Sequence, residues 1–213
     1  MKTEDLTTML AASLEPIDPA RTRRRYVVGI TAGLMGALSL VAGVLHLNPT
    51  LPLEATQSAF WVREAFCASL SVLGVLTIGR LARPGSKLGI LPVAVVAVVL
   101  ALWILAAAAL LSVPPESRIP MLLGRTFAVC PFLIAFVAAP LFLAFVWVLK
   151  DLAPTRLHWA GAGAGFAAGA IGALVYSLHC PELAAPFIGL WYLLGMLIPT
   201  AIGASLGPPL LRW

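Results

Sequence analysis

Six long apolar runs limit what this chain can fold into more than any other feature. They lie near residues 26–47, 60–81, 88–113, 121–149, 157–178 and 184–206. A helix needs about 20 apolar residues to cross about 30 Å of hydrocarbon, and each run is long enough. The runs are continuous instead of alternating, which favours helices over the strands of a membrane barrel. The sequence therefore predicts an all-α, polytopic membrane bundle of six transmembrane helices.

The composition excludes the soluble alternatives. Of the 213 residues, 61% are hydrophobic and 11% are charged, and the mean hydropathy of +0.98 does not fit a water-soluble globule. The net charge of +5 suggests a nucleic-acid partner at first. However, the basic residues are spread among the apolar runs and form no patch that could follow a phosphate backbone. We therefore expect a lipid bilayer, and no nucleic acid, around this chain.

The basic residues also predict the orientation of the bundle. Three of them, Arg63, Arg118 and Arg125, lie on one side of the six runs. The other eleven lie on the side of the termini: Lys2, Arg21, Arg23, Arg24, Arg25, Arg80, Arg83, Lys87, Lys150, Arg156 and Arg212. Because Lys and Arg accumulate in cytoplasmic loops, both termini are predicted to be cytoplasmic, and in a bacterium the opposite side would be the periplasm. The chain then divides into a cytoplasmic segment, residues 1–25, and a transmembrane domain, residues 26–213.

The N-terminal segment carries a short amphipathic pattern. Leu6, Met9 and Leu10 recur at helical spacing, so one face of a helix there would be apolar. Two surfaces can receive that face: the membrane, or a groove on another protein. Interfacial helices usually carry Lys or Arg on the polar face, and this segment carries acidic residues instead. We therefore expect it to bind a cytoplasmic protein, with Leu6, Met9 and Leu10 as anchors and Asp5 facing a basic partner.

The three cysteines all fall toward the outer side of the predicted bundle. Cys67 lies early in the second run, Cys130 early in the fourth, and Cys180 at the outer end of the fifth beside His179. Cys67, flanked by apolar residues, is interpreted as a packing residue. Cys130 and Cys180, with His179, could bind a soft metal ion transiently, or two of the thiols could form a disulfide. Both possibilities remain open at this stage.

No catalytic pattern emerges from the sequence. It contains no nucleophile with its base, no paired carboxylates and no phosphate loop, so we predict that the protein is not an enzyme. A small membrane transporter and a quinone-linked thiol oxidoreductase remain as alternatives. Transporters tend to carry ionisable residues at the middle of the membrane, and the thiol enzymes usually use a C-x-x-C motif. Neither feature is present.

Two features of the spans concern packing. Gly161, Gly165 and Gly169 recur every four residues in the fifth run and predict close contact with a neighbouring helix. Pro131, Pro140 and Pro199 are predicted to bend their helices.

Several short features follow one another along essentially the whole chain. They are KTEDL at residues 2–6, RPG at 83–85, Cys130, APT at 153–155, the glycine-rich fifth run, Tyr176 with Cys180 and Glu182, Trp191 with Tyr192, and LRW at 211–213. In this order they resemble the six-span bacterial membrane anti-sigma factors that are negative regulators of sigma F. The resemblance implies that the chain holds an extracytoplasmic-function sigma factor away from RNA polymerase. It also implies that Cys130 and Cys180 perceive stress such as heavy metals or oxidants.

Overall fold

The six predicted transmembrane helices are all present. The computed structural model describes residues 19–83 and 85–212, and within these ranges the chain has helices and no strand. Six helices are long and apolar enough to cross a membrane, and we call them the first to sixth spans: Arg24–Leu45, Ser58–Leu81, Leu91–Leu111, Cys130–Lys150, Leu157–Tyr176 and Ala185–Leu211. The all-α membrane bundle is thus confirmed, and the cytoplasmic position of the termini stays a prediction.

The fourth span begins later than its apolar run. Its first predicted residues belong to a separate short helix, Pro115–Leu123, which ends at Gly124 with a φ of 58°. Glycine has no Cβ and adopts this left-handed conformation without steric cost, so the chain can turn there. The span itself starts at Cys130, which places Pro131 in the first helical turn. The predicted bend at Pro131 is therefore wrong, because proline in the first turn removes no helical hydrogen bond.

Two spans contain a π-helical turn that their apolar periodicity does not reveal. The helix Pro19–Leu40 continues as the π turn Val41–Leu45. In the sixth span, Ala185–Phe187 leads through the π turn Ile188–Tyr192 into Leu193–Leu211. Such turns leave backbone carbonyls free, and the Trp103 indole donates a hydrogen bond of 3.0 Å to the Gly189 carbonyl. The first helix also passes without a break through residue 25, where we had placed the segment boundary.

The fifth span lies at the centre of the bundle. Within its most apolar stretch, 72% of the residues are buried, against 11% for the third span. It contacts the second, fourth and sixth spans. Its contact with the sixth span is the most extensive, because Gly161 and Gly165 meet the backbone at Gly203 and Pro199. The packing role predicted for these glycines is confirmed. A centre built from glycine and alanine lets neighbouring backbones approach closely.

The first span packs against the fourth. Gly29, Gly33 and Gly36 face Val148, Leu141 and Pro140 of the fourth span, respectively. At the end of the bundle near residue 150, Arg25 forms an ion pair with Asp151, and its guanidinium lies 4.1 Å from the centre of the Trp147 ring. The first span is therefore held along most of its length.

Candidate functional site

Cys130 and Cys180 lie against each other at one end of the bundle. Cys130 begins the fourth span, and Cys180 belongs to the loop between the fifth and sixth spans, residues 177–184, which we call the cysteine loop. Both residues are completely buried and both thiols are free. Thr126 contacts both of them, because its carbonyl accepts a hydrogen bond of 2.9 Å from the Cys130 backbone N–H and its hydroxyl is 4.0 Å from the Cys180 sulfur. Two thiols 50 positions apart in the sequence are thus brought into one site.

Cys67 lies at the same end but within the second span. Its side chain is fully buried, and its carbonyl accepts a hydrogen bond of 2.7 Å from the Ser71 hydroxyl. It belongs to the apolar core cluster together with Phe66 and Leu70. These surroundings agree with the packing role that the sequence suggested.

His179 is directed toward the first span. Its Nδ1 atom lies 2.8 Å from the His46 carbonyl oxygen, and its ring centre is 5.7 Å from that of Tyr176. Over residues 19–83 and 85–212, no three or more His, Cys, Asp or Glu side chains are grouped closely enough to hold a metal ion. A soft cation at Cys130 and Cys180 would therefore find two thiol ligands in this arrangement, and coordination by His179 as well stays a prediction.

Arg63 belongs to this site, although the sequence did not single it out as a site residue. An arginine and a glutamate near the outer end of a span predict contacts with lipid headgroups or with a loop; the loop contact is confirmed, but the side chain is 0% exposed and does not reach the surface. Its Nη1 atom donates hydrogen bonds to the carbonyls of Cys180, at 2.8 Å, and Glu182, at 3.0 Å. The cysteine loop folds over the guanidinium and encloses it. An arginine five positions into a span, followed at once by a glutamate, was the available signal.

Two carboxylates balance the buried charge of Arg63. Its Nε atom donates to Glu64 at 3.1 Å, and its Nη2 atom lies 3.8 Å from a Glu54 oxygen. Glu54 is only 6% exposed, and its other oxygen accepts hydrogen bonds from the Asn48 amide and the Thr50 hydroxyl. The second oxygen of Glu64 accepts a hydrogen bond of 3.0 Å from Ser177 in the cysteine loop. Burying a cation is tolerated only when such partners are present.

The cysteine loop is also bonded to the chain that follows the first span. The backbone N–H of Asn48 donates to the Leu178 carbonyl at 3.0 Å, near the contact between His179 and His46. His46 itself ends the π turn of the first span and has a positive φ of 66°. A displacement of the loop would therefore act directly on the end of the first span.

The pKa of the Cys180 thiol is lowered to about 6. The largest cause is the hydrogen bond from the Cys130 thiol, which favours the thiolate against the opposing effect of burial. Backbone N–H donation at Glu182 and the positive charge of Arg63 act in the same direction. Because the thiolate is the nucleophile and the metal ligand, Cys180 is the more reactive member of the pair at neutral pH.

A pH profile of alkylation tests this assignment. We expect the alkylation rate of Cys180 in the full-length protein to reach half its maximum near pH 6, well below the value of 9.0 for an ordinary thiol. Since the folded pKa is lowered, the thiolate stabilises the fold fully above about pH 9, and this contribution disappears as the pH falls through 6. Peptide mass spectrometry after brief exposure to iodoacetamide measures the profile. Cys130→Ala should move the midpoint upward, and a midpoint near 9 in both proteins would contradict the assignment.

The residues predicted to bind a partner lie outside the described part of the chain. These are Asp5, Leu6, Met9 and Leu10. The nearest described residue is Pro19, the start of the helix that becomes the first span. The predicted binding segment and the cysteine loop therefore connect to opposite ends of the same helix.

Comparison with known proteins gives a consistent set of relatives. The model of a family described as "negative regulator of sigma F" matches residues 10–213. A protein from Azospira oryzae named "probable anti-sigma-F factor NrsF" is 45% identical over 213 residues, covering 100% of both chains. The anti-sigma-F factor NrsF of Caulobacter vibrioides is 35% identical over 218 residues, also covering 100% of both. No solved structure matches the chain.

Proposed function

Because the chain belongs to the family of negative regulators of sigma F, we propose that it is a membrane-bound anti-sigma factor. It binds an extracytoplasmic-function sigma factor at the cytoplasmic face of the bacterial inner membrane. A stress signal on the periplasmic side reaches the cysteine pair, and the sigma factor is released. The protein acts by binding and release, not by catalysis.

The burial of the free thiols of Cys130 and Cys180 in one site, around Thr126, is the observation that carries the sensing part of this proposal. A soft metal ion binds thiolates more strongly than oxygen ligands, so the pair offers it two adjacent sulfurs. An oxidant acts on the same atoms, because removal of two electrons and two protons joins them as a disulfide. Both events remove the thiol protons and link the two sulfurs, either directly or through the metal ion. Signals of different chemistry thus have one structural result.

The first span is the proposed route from the sensor to the partner. Its C-terminal end is linked to the cysteine loop through His46 and Asn48, and its N-terminal end leads into the partner-binding segment. A shift of the fourth span relative to the fifth would act on the same route, because the first span packs on the fourth.

Replacing two apolar anchors of the N-terminal segment tests the binding part. We expect Leu6→Asp combined with Leu10→Asp to weaken sigma-factor binding at least about 100-fold, since a buried anchor contributes about 2 kcal/mol or more. Co-purification of the sigma factor with the detergent-solubilised protein measures the loss. Thr8→Asp combined with Ala11→Asp is the matched control, because it adds the same two negative charges to the opposite face of the predicted helix. Undiminished co-purification of the protein with both leucines replaced would contradict the binding role of this segment.

A thiol oxidoreductase is the second candidate, and the lowered pKa of Cys180 favours it. Such an enzyme would pass electrons from thiols to quinone and would turn over repeatedly. Incubating the purified protein with a dithiol substrate and a soluble quinone distinguishes the two. Continuous quinone reduction that Cys130→Ser abolishes would favour the enzyme, whereas co-purification with a sigma factor and no turnover favours the regulator.

A further inference from the structure

Arg63 binds the backbone on both sides of Pro181, directly beside the reactive thiol. One nitrogen, Nη1, donates to the carbonyls of Cys180 and Glu182, so the path of the chain through these positions is fixed relative to the second span. These carbonyls belong to a loop, where the backbone has no regular helical or sheet partner. The guanidinium supplies the missing donors. A smaller or apolar side chain at position 63 would leave the loop without this attachment.

The same group of contacts reaches the residue that begins the fourth span. The Glu182 side chain accepts a hydrogen bond of 2.7 Å from the Arg125 backbone N–H, five positions before Cys130. The carbonyl of Glu182 accepts a hydrogen bond from the Arg63 guanidinium. Its carboxylate fixes the backbone of Arg125, in the segment that leads to Cys130. The two chain segments that carry the thiols are thus connected through one buried cation.

Packing alone does not account for an arginine at this position. A buried cation must lose its hydration, and an apolar residue of similar volume would often fill the same space with no loss of stability. The structure instead places Glu54 and Glu64 beside Arg63 and directs the donors of its Nη1 atom to the cysteine loop. The guanidinium of Arg63 is thus placed where it orients the backbone of the cysteine loop. Such contacts are expected of a residue that positions its neighbours.

We infer that Arg63 is a positioning residue for the Cys130–Cys180 pair. It fixes the backbone of residues 180–182 so that the Cys180 sulfur stays against the Cys130 thiol, and it touches neither the metal ion nor the oxidant. The inference rests on the proposed sensing function, but it concerns only the geometry of the pair. It therefore predicts the rate at which the two thiols join, whether or not a sigma factor is bound.

The rate of disulfide formation in the purified full-length protein tests the inference. All variants carry Cys67→Ala, so that only two thiols remain. Diamide is the oxidant: its N=N bond takes up two electrons and two protons as the S–S bond forms, and it becomes a hydrazine. Mass spectrometry after alkylation of the remaining thiols gives the rate. Because loss of positioning lowers the effective concentration of one thiol at the other, we expect Arg63→Met to slow the reaction about tenfold or more.

Removing Arg63 alone would leave two buried carboxylates without a cation, which can prevent folding. The decisive variant therefore combines Arg63→Met with Glu54→Gln and Glu64→Gln, which leaves no charged side chain in the cluster. Arg63→Lys should restore much of the rate, since an ammonium group can still donate to loop carbonyls. Arg125→Met is the matched control: its side chain is exposed at the same end, only its backbone contacts Glu182, and the rate should not change.

Two results would overturn the inference. One is a disulfide rate in the neutral triple variant equal to that of the parent. The other is a rate in Arg63→Lys as low as in the triple variant, which would mean that the donors on Arg63 do not act on the pair. Neither result bears on sigma-factor binding, which co-purification measures separately. The positioning role and the anti-sigma role can therefore fail independently.

Discussion

Serine at both Cys130 and Cys180 is expected to keep the sigma factor bound when cells meet a soft metal ion or an oxidant. Serine is close to cysteine in size, so the buried site keeps its shape and binding without stress is unchanged. It offers no thiolate to the metal and cannot form a disulfide. A shift from mostly bound to mostly released needs a change in relative affinity of about 10⁴-fold, or about 5.5 kcal/mol. Only a covalent or metal–thiolate bond in this site supplies a change of that size.

A reporter gene under control of the sigma factor measures this loss, before and after exposure to Cd²⁺ or diamide. Each single variant, Cys130→Ser or Cys180→Ser, should also lose most of the response, because both proposed reactions need two sulfurs. Cys67→Ser is the matched control and should respond normally, since its thiol packs in the second span. Normal release from the doubly substituted protein would exclude the thiol mechanism and leave the anti-sigma assignment intact.

The fold was predictable from the sequence, because each span is a local property of about 20 residues. The ends of the spans were less accessible. The later start of the fourth span depends on the positive φ of Gly124, and the π turns depend on partners such as Trp103, which donates to Gly189 from another helix. Hydropathy records neither conformation nor tertiary partners. The packing of the glycine stripe was predictable because a small-residue spacing of four is itself a contact pattern.

The candidate site was predictable only in part. Topology assigned Cys67, Cys130 and Cys180 to one side of the membrane, and the structure places them at one end of the bundle. The direct contact between Cys130 and Cys180 was not implied by spacing, because it arises from packing between the fourth and fifth spans. The burial of Arg63 was not predictable for a similar reason. An arginine near the end of a span usually extends to the lipid headgroups, but here a loop 117 positions away covers it.

Alanine in place of Gly165 is expected to have the largest effect on the bundle itself. Gly165 faces the Pro199 carbonyl at the closest part of the contact between the fifth and sixth spans, and a methyl group on it would overlap that oxygen. The neighbouring contact of Gly161 with Gly203 is equally close, so the sixth span cannot move aside locally without breaking it. The overlapping atoms belong to the backbone, so they cannot move away by a change of rotamer. The fifth and sixth spans must therefore separate to accommodate the methyl group. We expect a loss of about 3 kcal/mol or more, at the upper end of the range for overpacked cores.

Gly79→Ala separates this steric effect from the general response of a membrane helix to alanine. Gly79 also lies in a span, the second, but a Cβ atom there would meet nothing within 4 Å. Alanine favours the helical conformation over glycine by up to about 1 kcal/mol, so this variant should be as stable as the parent or slightly more stable. The monodisperse fraction that survives heating in detergent, followed by size-exclusion chromatography, measures both. Equal survival of the Gly165→Ala and Gly79→Ala proteins would contradict this prediction. It would mean that the fifth and sixth spans can separate at little cost in stability.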